Sequence, residues 1–142
     1  MKKRISLLIL LIILTMNMGC SNNSPLEGDF IDLTNVSSTV GYAYVEKIIN
    51  SPLDYLDKTI KVSGLYHASY YDGTNNYYHY VMIPDFTGCC TSGIEFVWNG
   101  NHNYPSDYPR EMSKITVQGK FFEYEELGIK YYAIMVDEII KK

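Results

Sequence analysis

The sequence predicts a mostly β fold, a small closed five-stranded barrel introduced by one short N-terminal helix, and three observations carry that expectation. One stretch, from Thr39 to Asn50, repeats apolar residues at helical spacing, and five later stretches alternate with a period of two. Glycines, Gly64 and Gly119, fall inside the first and fourth of those stretches, where a strand must bend or coil tightly. A single long connection, rich in proline and asparagine, separates the third from the fourth. A small open β-sandwich is the alternative architecture.

Before the helix the chain opens MKKRISLLILLIILTMNMGCSNNS. Lys2, Lys3 and Arg4 precede an apolar run from Leu7 to Leu14 and then the small Gly19, the three-part layout of a secretory signal peptide. The run is shorter than the roughly 20 residues a membrane-spanning helix needs. Cys20 follows directly, and NMGCSN resembles the lipobox of bacterial lipoproteins, although Asn17 stands where that motif usually carries leucine. The resemblance implies a diacylglyceryl group on the Cys20 thiol and cleavage just before it. Residues 1–19 are then a lipoprotein signal peptide, 20–38 a polar tether and 39–142 the folded domain. A membrane partnership through the lipid anchor follows, on the extracytoplasmic face of the cell membrane. An ordinary cleaved signal with a spare thiol is the plainer alternative.

Cleavage there leaves 123 of 142 residues with nine basic and sixteen acidic side chains, a net charge of −7. A chain of that length makes one domain and can bury a core without disulfides. Its acidity argues against nucleic acid as a partner, because phosphates are repelled.

Within the domain, Val40, Tyr44 and Ile48 recur every four residues with Val45 and Ile49 beside them, the stripe of an amphipathic helix that Pro52 ends. In IKVSGLYHA, Ile60, Val62, Tyr66 and Ala68 share one face of a first strand. The turn YDGTNN, with Asp72-Gly73 as its hairpin signal, leads into YYHYVMI as the second. GIEFVW is the third, with Ile94, Phe96 and Trp98 together. After the loop NGNHNYPSDYPREMS, KITVQGKFF turns Ile115, Val117 and Phe121 inward as the fourth, and YEELG joins it to IKYYAIMVDEII, the fifth.

By strand count this best matches the OB-fold, a partly open five-stranded Greek-key barrel. SPLDYLDKTIKVSGLY resembles the lead-in of bacterial OB modules and KITVQGKFFEYEELGIKYYAIMVDEI their last two strands, so the likeness covers about residues 40–138 and speaks to shape. The segment PDFTGCCTSGIEFVW is similar to one in uncharacterised bacterial OB-fold lipoproteins, onto which Asp85, Cys89, Cys90, Gly93 and Glu95 map. That resemblance hints at metal handling and at a membrane-protein partner, and brings no activity with it.

Cys89 and Cys90 stand side by side, and four uses are open to them. A bond between them is strained, because neighbouring α-carbons lie about 3.8 Å apart, below the usual disulfide range, and so suits a redox switch. Two thiolates also suit zinc or copper, with His79 and Asp85 as the nearest further donors along the sequence and His102 after them. Activation as a nucleophile has neither a C-x-x-C spacing nor a protease signature behind it. Simple packing is the fourth, since cysteine behaves as a small hydrophobe.

The 14 tyrosines, several of them clustered, read first as half-buried strand residues, and second as rings that stack on sugars or bases over an OB face. Glu123, Glu125 and Glu126 read as a solvated hairpin tip. No phosphate loop, nucleophile elbow or H-E-x-x-H occurs. The expectation is a membrane-anchored, non-catalytic binding domain, with a zinc or copper site or a thiol redox switch at Cys89 and Cys90 as the alternative.

Overall fold

The structure is a computed structural model that describes Leu26 and residues 28–141. The leader, Cys20 and the first part of the tether lie outside these described residues. In chain order the elements are β1 (Phe30–Asp32), α1 (Ser38–Asn50), a 3-10 turn (Pro52–Tyr55), β2 (Thr59–Tyr71), β3 (Asn76–Pro84), β4 (Thr91–Trp98), β5 (Lys114–Glu126) and β6 (Ile129–Lys141).

Strands β2, β3 and β4 run as an antiparallel meander; β4 pairs in parallel with β6, β6 returns antiparallel to β5, and β5 closes onto β2. Five strands thus form a ring, an OB-like arrangement and not an open sandwich. The ring is not a clean barrel. β2 divides its length, giving residues 59–65 to β5 and 65–71 to β3, while β4 and β6 share only three residue pairs. Close passage of the backbone explains both strand glycines. A Cβ on Gly64 would come within 2.5 Å of the Met82 carbonyl oxygen, and one on Gly119 within 1.7 Å of that of Met135. Gly119 also sits where the ladder slips: Val117 faces Ile139 but Gly119 faces Val136, so β6 carries one residue more than β5.

The ring is filled by the residues the two-residue period selected. Ile60, Val62 and Tyr66 from β2, Ile94 and Phe96 from β4, and Ile115, Val117 and Phe121 from β5 are all buried. Trp98 and Ala68 pack partly buried against them. The β5–β6 turn, Leu127-Gly128, has positive φ at both residues, as a type I′ hairpin requires. At the β2–β3 turn the left-handed residue is Asn75, not the glycine of Asp72-Gly73.

Two expectations are corrected. The tether does not run to residue 38: Phe30–Asp32 form β1, parallel to β2, with Ile31 fully buried and Leu33 nearly so. A three-residue strand has too little period to be read, and backbone pairing decides it. Helix α1 is present, capped by the Ser37 hydroxyl accepting from the Val40 amide, but its buried face is Gly41, Val45 and Ile48. Val40 and Ile49 are exposed. Exact four-residue spacing drifts around a helix of 3.6 residues per turn, so the residues at spacings of four and seven win.

Candidate functional site

Two regions of the β3–β4 hairpin concentrate chemistry. The first is its connecting loop, residues 85–90. The Asp85 amide donates to the Cys90 carbonyl at 2.8 Å and the Gly88 amide to the Asp85 carbonyl at 3.2 Å, closing a tight turn. Gly88 supplies the left-handed conformation, φ +73°, that this turn demands. Inside it the Thr87 hydroxyl donates to the Asp85 carboxylate at 2.9 Å, and the Cys89 thiol lies 3.8 Å from the same carboxylate. Both cysteines are free, with their sulfurs 3.9 Å apart. Asp85, Cys89 and Cys90 each offer a ligand atom, all within 4.8 Å of one another.

Burial works against the charge of Asp85, but donation from the Thr87 hydroxyl and the Cys90 and Gly88 amides outweighs it and holds the carboxyl below its usual range. The Cys90 thiol is pushed up, first by its hydrogen bond with Cys89 and then by the Asp85 charge. A thiol so placed is a poorer nucleophile than a free one, because little thiolate forms. A soft divalent ion reverses that balance by deprotonating the thiols it binds.

Of the four residues proposed as a ligand set, three therefore converge and His79 does not. It lies five residues before Pro84 along an extended strand, roughly 17 Å away. Its side chain turns into the ring, where Nδ1 is 2.8 Å from the Tyr66 hydroxyl and the imidazole stacks on Tyr108 at 3.9 Å between centroids. Burial lowers its pKa to about 4, so it is neutral at ordinary pH. The strand period explains the miss, since odd positions of β3 face inward and sequence proximity says nothing of that. His102 is likewise engaged, stacked on Trp98 at 3.6 Å, and His67 pairs with Glu111 at the surface. Packing, offered as the simplest use of the cysteines, is overturned: both are exposed because the hairpin carries them past the core.

The second region is the outer face of the same hairpin. Tyr78 and Tyr80 alternate with buried His79 and Val81, and Glu95 alternates with buried Ile94 and Phe96, so all three point away from the core. The end of the β5–β6 hairpin reaches this face. The Tyr124 hydroxyl donates to Glu95 at 2.8 Å, and the Tyr78 hydroxyl donates to Glu126. Between them lies an open cleft of 370 Å³, lined by six tyrosines, Tyr70, Tyr71, Tyr78, Tyr80, Tyr124 and Tyr131, with Ser69, Glu95 and Glu126.

No basic side chain is among those lining residues. Burial pushes Glu95 up to about 7, against the opposing hydrogen bond from Tyr124. Tyr80 is raised to about 12, by burial first and then by the charge of Glu95. All six of these tyrosines stand in clusters visible along the sequence, whereas Glu95 is marked there only by its place in a motif. Alternating outward tyrosines on two hairpins was the available signal, but it does not say which hairpins meet. No protein-family model matches the chain, and no curated protein matches it in sequence.

Proposed function

We propose that this chain is a non-catalytic binding domain, held on the extracytoplasmic face of the cell membrane by a lipid on Cys20, and that it binds its ligand in the tyrosine–carboxylate cleft. One observation supports the cleft above the rest of the surface: six tyrosines and two glutamates from five strands line it, and its 370 Å³ falls within the range of small-molecule sites, roughly 300–1,000 Å³. In OB-folds generally, the face of the second and third barrel strands and the loops at its rim take the ligand, and β3 and β4 occupy those places here. The anchor is supported by the leader and lipobox-like segment of the sequence.

Two measurements test the reading. Replacing Cys20 by serine should move the protein from the membrane fraction to the soluble one, and retention on the membrane would sink the anchor. A small-molecule screen read by side-chain NMR should shift the rings of Tyr80, Tyr124 and Tyr131; hits that move only residues 85–90 would sink the cleft.

The convergence of Asp85, Cys89 and Cys90 favours a second reading, a zinc or copper site completed by water or by a donor from a membrane-protein partner. Elemental analysis of protein purified without oxidation is expected to find about one equivalent. Less than roughly a tenth would be too little for a tight thiolate site.

A further inference from the structure

We infer that the cleft is selective for an organic ammonium cation, a quaternary or protonated amine, a deepening that rests on the cleft being the ligand site. Its only charged lining groups are two carboxylates, Glu95 and Glu126, set among tyrosine rings. The hydroxyls of Tyr78 and Tyr124 already donate to Glu126 and Glu95, and that of Tyr70 donates to Asn75. What is left for a ligand is carboxylate lone pairs, six tyrosine rings and the hydroxyls of Ser69, Tyr71, Tyr80 and Tyr131. A phenol that donates a hydrogen bond to a carboxylate has a more electron-rich ring, and ring faces attract cations. A neutral ligand leaves the two carboxylates without a counter-charge, and phosphates meet them with no compensating base.

Charge completes the case. The adjacent depression, which Glu95 also lines, holds Lys130, whose ammonium is engaged by Glu123 at 2.8 Å. Glu95 is therefore a half-buried carboxyl without a counter-ion, raised to about 7 by burial. A bound cation would supply the missing partner and draw Glu95 into its ionised form. The acidity of the chain beyond residue 19, sixteen acidic against nine basic side chains, draws cations toward the surface and repels anions.

The test uses the full chain in neutral detergent and two probes of one shape, choline and its uncharged carbon isostere 3,3-dimethylbutan-1-ol, with methyl glucoside as a third. Calorimetric titration should give choline an affinity about tenfold above the isostere, from the cation–π and carboxylate contributions together. Choline should shift the ring resonances of Tyr80, Tyr124 and Tyr131, and Glu126→Gln and Tyr131→Leu, both at the open rim, should each weaken it by roughly fivefold. Equal binding of choline and the isostere overturns the cation preference, as does tighter binding of methyl glucoside at the same tyrosines; either result leaves the cleft standing as a site. Choline binding that shifts no cleft tyrosine overturns this inference. A screen whose hits all avoid those rings removes the cleft with it.

Discussion

At its tip the β3–β4 hairpin holds Asp85, Cys89 and Cys90 in one loop, while along its outer face Tyr78, Tyr80 and Glu95 do little until the β5–β6 hairpin brings Tyr124, Glu126 and Tyr131 across to them. The tip is a local object. Its turn, its hydrogen bonds and its three donor atoms come from residues 85–90. The cleft is a product of ring closure, since β5 and β6 reach it only by pairing with β2 and β4. Chemistry written in consecutive residues survives damage elsewhere, and chemistry assembled from five strands does not.

The most severe way to separate the two is Gly119→Val. Its first side-chain carbon would lie 1.7 Å from the Met135 carbonyl oxygen, so β5 and β6 cannot keep their spacing. We expect a loss of about 3 kcal/mol or more in urea unfolding, with ligand-induced tyrosine shifts abolished. Wild-type stability in this variant would mean that the slipped register does not hold the hairpin in place.

His79→Phe probes the inside of the same hairpin. At pH 7.5 the variant should lose roughly 1–3 kcal/mol, because the buried Tyr66 hydroxyl loses its partner. The difference from wild type should shrink on acidification. His79 has a folded pKa of about 4, below the ordinary 6.5, so its contribution is complete above pH 6.5 and fades as pH falls toward 4. Urea titrations at several pH values in that window give the slope, and a constant difference would contradict a buried neutral imidazole.

Glu95→Gln should show the opposite sign at the outer face. The folded carboxyl titrates near 7 instead of 4.5, so the wild type gains from protonation at low pH and loses stability as pH rises through 7. The variant should match wild type near pH 4.5 and exceed it by roughly 1 kcal/mol at pH 8, a figure held down because water still reaches the group. Chemical denaturation at the two pH values reads this directly. Between pH 4.5 and 6.5 the two slopes oppose each other, and each single variant should expose the other.

The double variant Cys89→Ala, Cys90→Ala should change least. Both side chains are exposed, so unfolding free energy should move by less than about 0.5 kcal/mol and cleft binding should stay as it was. A larger loss would show the tip to be structural, tied to the same core as the cleft.

Much of this was legible along the chain. The alternation in β2, β4 and β5 named the core residues correctly, because burial on one face of a strand leaves a period of two that no partner is needed to see. Asp85, Cys89 and Cys90 were legible together because a tight loop keeps neighbours in sequence as neighbours in space. His79 was misplaced for the complementary reason: along a strand, five residues carry a side chain to a different environment. β1 went unread because its three residues are ordered by pairing with β2, not by any pattern of their own.

The sequence by itself determined the mostly β character, the core-facing side chains and the clustered loop, all of which follow from local periodicity and chain connectivity. Only the tertiary structure decided which hairpins meet, and hence that Tyr78, Tyr80, Glu95, Tyr124, Glu126 and Tyr131 form one cleft. The physical reason is that strand pairing and register are set by the sum of many weak backbone and side-chain contacts between distant segments, and no single stretch of residues carries that sum.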